Sequence, residues 1–396
     1  MTRHIVTLNA GSSSVKYALF AADPRPVPVV TALAETVGDG RHAVMKDAAG
    51  KVLREESWES RETFQSEALH RLLDWQKRLL PQAEVAAAGH RVVHGGSRFD
   101  RPVAVTEEVM AALRALVPLA PLHQPHALAG IEAARATWPG IPQVACFDTA
   151  FHRGHPRVND MYALPRRFYD AGIRRYGFHG VSYEYVTQRL REIAPSEAAG
   201  RVVIAHLGNG ASMCATRDGR SVASTMGFTA LDGLAMGTRP GQLDPGVVLY
   251  LMQSEGMDAD AIADLLYRNS GLKGLSGISG DMRTLETSAD PAAADAIAYF
   301  VERIRRETCS LAAALEGLDA LVFCGGIGEN SWHVRERVLD GLAWLGIALD
   351  RDANRANAPQ ISTPASRVRV LVVKTDEDAM IARHTRDLLG DATPAQ

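Results

Sequence analysis

Two stretches about half the chain apart follow one plan. HIVTLNAGSSSVKYALF, residues 4–20, is an apolar run that breaks at Asn9-Ala10-Gly11, passes three serines and resumes as a second apolar run with Lys16 near its start. RVVIAHLGNGASMCATRDGRSVAST, residues 201–225, repeats this around Gly208-Asn209-Gly210, and its Arg217-Asp218-Gly219 reads as a tight turn into a third strand. A repeat at such a distance predicts two related halves, each opening with a β-hairpin. Gly turns between strands are common, so the other elements must agree before the echo carries weight.

They do agree on class. Strand-like runs fall at IVTL (5–8), VVIAHL (202–207), ALVFC (320–324) and VRVLVV (368–373). Helical patterns fall between them at 66–80, 182–193, 295–315 and 333–345. Strands alternating with helices predict an α/β protein, and 396 residues suggest two or three domains. With a net charge of −3 the broad basic face that holds a nucleic-acid backbone is not expected. No apolar run approaches the ~18 residues of a membrane span. Cys146, Cys214, Cys309 and Cys324 are scattered without a C-x-x-C pair and read as buried small hydrophobes of a cytoplasmic protein. The tail after about Gly390 is expected to be disordered.

The opening turn is not a Walker A loop, because one glycine precedes Lys16 and the following residues read as strand rather than helix. An anion here would be held by turn amides, serine hydroxyls and Lys16. A serine-rich surface hairpin would explain the serines but not a lysine at the end of a buried strand pair. Cys324-Gly325-Gly326-Ile327-Gly328-Glu329-Asn330 reads as a loop before a helix starting near Ser331, without the following βαβ unit of a dinucleotide site. GLKGLSGISGDMRTLE, residues 271–286, is too rich in Gly and Ser for a helix before about Met282. Four such loops would suit a nucleotide held between two halves.

Arg91 follows the small apolar run VAAAG, and Arg239 lies in a Gly/Pro loop. Neither reads as a solvated helix-face arginine, and a pair of them can hold a carboxylate or phosphoryl group. Asp148 ends the run PQVACF, where α/β sheets place ligands. Taken singly, a salt bridge for Arg91, a cap for Asp148 and a core position for His179 are equally good readings. The 13 histidines show no zinc spacing. Magnesium needs only one or two carboxylates or amides, and Asp376, Glu377 and Asp378 offer one; helix capping suits two of those three.

Nine segments in order, TLNAGSSSVKY, GHRVVHGG, APLHQP, FDTAFH, YGFHG, HLGNGAS, MGFTALDGLAMGTRPGQLDPG, GIGENS and TDEDAMIA, together resemble the acetate kinase family over nearly the whole chain. The resemblance implies two duplicated actin-like (ribonuclease H-like) domains around a nucleotide cleft. The expected bounds are 1–150 with about 378–396 for the N-terminal domain, and 151–377 for a C-terminal domain carrying nucleotide and dimer contacts. It implies ATP and ADP as substrates with Mg2+ (or Mn2+), acetate or another short carboxylate as acceptor, and a homodimer.

By similarity, Asn9 and Glu377 match the metal site, and Ser12, Ser14 and Lys16 the phosphate loop. Arg91 matches the substrate arginine, Asp148 the catalytic aspartate, and His179 and Arg239 the transition-state stabilisers. His123 matches another active-site histidine, and Val93, Leu122, Phe178 and Ala230 the acid pocket. Nucleotide contacts fall on His206, Leu207, Gly208, Asn209 and Gly210, on Asp281, Met282 and Arg283, and on Gly326, Ile327, Gly328, Glu329 and Asn330.

Acetate is already ionised near neutral pH, so direct in-line transfer without a phosphoenzyme is expected, with Asp148 orienting Arg91 or the metal's waters. Two departures from the family pattern stand out. Ala230 replaces a proline, which leaves room for propionate, and Asp376-Glu377-Asp378 replaces Asn-Glu-Glu. The rival readings are a propionate kinase and, in another class, an actin-like ATPase binding module.

Overall fold

The computed structural model describes residues 3–11, 14–23, 26–37, 40–59, 64–121 and 123–391. Ser12, Leu122 and the end of the tail lie outside the described residues. The chain divides into two compact units, Met1–Phe151 with Asp376–Gln396, and His152–Thr375.

Among the described residues the first unit holds eight strands: β1 (Arg3–Ala10), β2 (Ser14–Ala21), β3 (Pro28–Val37), β4 (Gly40–Asp47), β5 (Val52–Trp58), β6 (Glu84–Val92), β7 (Val103–Ala104) and β8 (Gln143–Phe147). They form one sheet in the order β5-β4-β3-β2-β1-β6-β8-β7. The second unit holds β9 (Arg201–Leu207), β10 (Ala211–Arg217), β11 (Arg220–Ser224), β12 (Ala320–Cys324) and β13 (Arg369–Val372), in the order β11-β10-β9-β12-β13.

The echo is a duplication of topology. In each sheet an antiparallel hairpin, β1-β2 or β9-β10, is extended by a third antiparallel strand on one side. On the other side two parallel strands follow, β6 and β8 or β12 and β13. The Arg-Asp-Gly turn is as tight as its sequence suggests, with Asp218 and Gly219 at φ +49° and +69°.

Side-chain alternation lets helices cover both faces of the first sheet. Val6 and Leu8 pack with Trp75 of helix Phe64–Leu79 and Ala134 of helix Gln124–Thr137. Thr7 and Gly89 face helix Glu377–Asp391 instead. A Cβ on Gly89 would lie 2.3 Å from Thr385 Oγ1 and 2.6 Å from Ile381 Cγ2, so glycine is what lets this helix lie against β6. In the second unit the 25-residue helix Pro291–Leu315 packs on β9, β10 and β11.

Several local expectations are corrected. Gly325–Asn330 is a short helix rather than a loop, as is Gly271–Ser276. Glycine is there for contact: a Cβ on Gly325, at φ +74°, would meet the Leu207 carbonyl oxygen at 2.8 Å, and tertiary packing outweighs its poor helix propensity. The pattern over 333–345 ends as a helix at Asp340, where Gly341 follows. Lys16 is exposed between buried Val15 and Tyr17, not enclosed with them. Asp376 caps the helix, its Oδ1 accepting from the Ala379 amide at 2.8 Å, and Glu377 and Asp378 lie in its first turn. Cys146, Cys214 and Cys324 are buried, whereas Cys309 is only partly so.

Candidate active site

In the first unit the candidate side chains gather where the parallel strands end. Leu8 pairs with His90 across β1 and β6, and Val92 with Phe147 across β6 and β8. That register brings Asn9, Arg91 and Asp148 to one edge of the sheet, the carboxyl edge at which α/β folds bind ligands. Lys16 pairs with Asn9 across the hairpin, and Ser14 begins β2.

Arg91 is clamped by two acids. Its Nε lies 2.9 Å from Asp148 Oδ1 and its Nη2 2.8 Å from Asp148 Oδ2, a bidentate pair, while Nη1 donates to Glu377 Oε2 at 2.8 Å. Asp148 is 3% exposed and Arg91 16%, so the charges are poorly solvated and depend on one another. Burial works against the Arg91 charge, but Asp148 and then Glu377 more than offset it and hold its pKa above the ordinary value. Next to Glu377, Asp378 turns inward and accepts from the Thr7 hydroxyl at 3.0 Å. Burial pushes its carboxyl up to about 6, against the pull of Lys16. Val93 follows β6, and His123 stands at the start of helix Gln124–Thr137.

In the second unit a cavity of about 510 Å³ opens beside the β9-β10 turn. Gly208, Asn209, Asp281, Met282, Arg283, Gly326, Ile327 and Asn330, all expected at a nucleotide, line it, together with Gly280, Glu286 and Ser331. The volume is that of a small-molecule site. His206, Leu207, Gly210, Gly328 and Glu329 are not among its lining residues; the Glu329 carboxylate accepts from the amides of Gly325 at 2.9 Å and Thr375 at 3.0 Å. Asp281 caps helix Met282–Glu286 and pairs with exposed Arg283, whose hydrogen bonds lower its pKa.

Beyond the turn, Arg239 and His179 converge on Gly210. A Cβ placed there would lie 2.8 Å from Arg239 Nη2 and 3.3 Å from His179 Nε2. Arg239 Nη1 donates to the Ala230 carbonyl at 2.8 Å, and among the described residues of this unit no carboxylate pairs with the guanidinium. Burial lowers the Arg239 pKa. His179 stacks on His206 with ring centroids 4.4 Å apart, and its Nδ1 lies 2.8 Å from Ser212 Oγ. It is a non-glycine residue at φ +57°, a conformation that clusters at functional sites. Phe178, beside it, is buried.

Residues 4–383 match the Acetokinase family. The chain belongs to the acetokinase family. An acetate kinase from Methylocella silvestris is 62% identical, with the whole of both chains covered. A propionate kinase from Francisella tularensis superposes with a TM-score of 0.90 at 36% identity, covering 97% of this chain and 99% of that one. The acetate kinase of Porphyromonas gingivalis superposes with a TM-score of 0.87 at 38% identity, covering 98% and 100%. These acetokinases share the two-domain actin-like fold. Among the described residues no helix is long and apolar enough to cross a membrane.

The structure of this acetokinase adds residues that sequence reasoning passed over. Ser182 bridges His206 Nδ1 and the Thr375 hydroxyl, both at 2.8 Å. Ser212 joins His179 to Tyr183. His152 and Ser221 lie behind the His179 turn. Hydroxyls with ordinary sequence neighbours carry no local signal; His152, inside FDTAFH, was in view but had no assigned partner.

Proposed function

We propose that this protein is an acetate kinase that reversibly transfers the γ-phosphoryl group of ATP to acetate. An acetate oxygen attacks phosphorus in line, the bond from phosphorus to the β,γ-bridging oxygen breaks, and acetyl phosphate and ADP result. No proton moves, so no general base is needed, and the chemistry reduces to positioning and charge compensation.

The observation that carries this reading is Arg239, a half-buried guanidinium beside His179 with no carboxylate partner in its own unit. Such a cation is costly unless an anion arrives, and a transferring phosphoryl group is that anion. His179 turns its Nε2 over Gly210 beside Arg239, a second donor in the tautomer in which Nδ1 accepts from the Ser212 hydroxyl. In the first unit Arg91, held in a fixed plane by Asp148, presents a positive charge to the acid substrate. The cavity lined by Asn209, Asp281 and Ile327 has room for the nucleoside.

Asn9 and Glu377 supply an amide oxygen and a carboxylate, hard oxygen donors that fit Mg2+ or Mn2+ completed by water and phosphate. Bound there, the ion neutralises phosphate charge. Homodimerisation has support in helix Pro245–Gln253, where Val247, Leu249, Tyr250 and Met252 are all exposed. The solution mass tests it. A cytoplasmic setting goes with MgATP as substrate.

ATP-dependent acyl phosphate trapped as hydroxamate tests the function. Product with acetate is expected; ATP binding with no product from acetate, propionate or butyrate overturns it and favours an ATPase module. Ala230 is the specific reason to measure propionate too: a small residue there leaves space for one methylene, and the ratio of kcat/KM for the two acids shifts by what about 1–3 kcal/mol allows. A kinetically competent phosphoenzyme would rule out direct transfer.

A further inference from the structure

The turn that carries His179 is wrapped around the ring of His152. Gly177 and His179 both have positive φ, +72° and +57°, with Phe178 between them. A Cβ on Gly177 would lie 2.6 Å from both Cγ and Cδ2 of the His152 ring, so the backbone rests directly on that ring.

His152 Nε2 is 2.9 Å from the Phe178 carbonyl oxygen, an acceptor only, so Nε2 carries the proton. Nδ1 is therefore an acceptor and accepts a hydrogen bond from the Ser221 hydroxyl at 2.8 Å. Ser221 Oγ in turn accepts from His155 Nε2 at 2.6 Å. The three groups thus donate in one direction, ending on the peptide that joins Phe178 to His179. His152 is fully buried and burial lowers its pKa to about 4, so the ring stays neutral and the tautomer is fixed by its neighbours.

A left-handed non-glycine residue persists only where its surroundings hold it. The His179 side chain is fixed at Nδ1 by Ser212 and on its ring face by His206; its backbone is held on one side by its own carbonyl, which accepts from the Tyr183 amide at 3.0 Å, and on the other at the Phe178 carbonyl. We propose that His152 is a positioning residue for His179: its Nε2–H grips the Phe178–His179 peptide and holds His179 in the left-handed conformation that aims Nε2 over Gly210, beside Arg239. A histidine that merely fills the core would affect stability and leave catalysis alone. The inference rests on the reading that His179 acts on the transferring group.

The test is a double-mutant cycle between positions 152 and 179, measured as acetyl phosphate formation. His152→Leu keeps bulk against Gly177 but cannot donate, and His152→Gln can still donate to Phe178. His152→Leu is expected to lower kcat about 10- to 100-fold with KM for ATP changed less than about twofold, and His152→Gln to restore most of it. In a His179→Ala background the same Leu replacement is expected to change kcat by less than about twofold, because the group it positions is gone. Wild-type kcat in His152→Leu, or an equal fold loss in both backgrounds, overturns the proposal. If His179→Ala alone leaves kcat intact, the role of His179 fails instead. Should His152→Leu not fold, Ser221→Ala, which removes the donor that fixes the tautomer, enters the cycle in its place with the same outcomes.

Discussion

Arg91 and Asp148 meet through two parallel hydrogen bonds, 2.9 and 2.8 Å long, from the ends of adjacent parallel strands. The planar fork of an arginine makes this pair and still leaves Nη1 for Glu377; a lysine ammonium has no such fork. Arg91→Lys is therefore expected to behave as a severe change. Charge-assisted hydrogen bonds contribute about 1.5–3 kcal/mol each, so kcat/KM for acetate should fall roughly 10- to 100-fold. Steady-state kinetics with hydroxylamine trapping measures it, and unaltered values would remove Arg91 from the acid end of the site.

Gly89 sits two residues before Arg91 on the same strand face and lets helix Glu377–Asp391 close on β6. Gly89→Ala should push that helix outward at Thr385 and Ile381 and loosen Glu377 from Arg91. Overpacking of this kind costs about 1–3 kcal/mol. The expected result is a lower Tm together with a higher Mg2+ requirement, read from thermal unfolding and a metal titration of activity.

Gly210→Ala acts differently. The new methyl meets side-chain ends, Arg239 Nη2 at 2.8 Å and His179 Nε2 at 3.3 Å, and not backbone. Stability should change little, while displacing two donors by a fraction of an ångström should lower kcat about 10-fold or more. A Tm within error of the parent and full activity would show that neither donor has to approach Gly210.

Two buried histidines, His90 and His152, and the half-buried His155 make stability depend on pH. Burial lowers the pKa of His90 and His152 to about 4 and that of His155 to about 2. The folded chain keeps these rings neutral, so below their ordinary value of 6.5 the unfolded chain binds more protons. Their stabilisation is complete above about pH 6.5 and is lost toward pH 4, by up to about 1.4 kcal/mol per pH unit for each ring. Asp378, raised to about 6, works in the opposite direction between about 4 and 6 and offsets part of one histidine. Urea midpoints measured from pH 7.5 to 4.5 should fall with acid, and His90→Gln should flatten the curve. His90 shares a hydrogen bond with Gln143, and glutamine at 90 removes the titrating ring while keeping a hydrogen-bonding side chain there.

The sequence by itself determined the pieces whose signals are local. Alternating apolar runs and polar turns marked β1-β2 and β9-β10, and their recurrence foretold two related halves each opening with a hairpin, because a hairpin is encoded by its own residues. Motif order made the family legible as well. The fate of the glycine-rich segments was not legible: read alone, Gly325–Asn330 favours a loop, and only the contact with Leu207 makes glycine necessary in a helix there. Nor could spacing show that Arg91, Asp148 and Glu377 form one cluster, since Arg91 and Glu377 lie 286 positions apart. That meeting was decided by the tertiary structure, through the parallel register of β6 and β8 and a helix held close by Gly89. Side-chain networks depend on register and packing distance, which local sequence patterns do not encode.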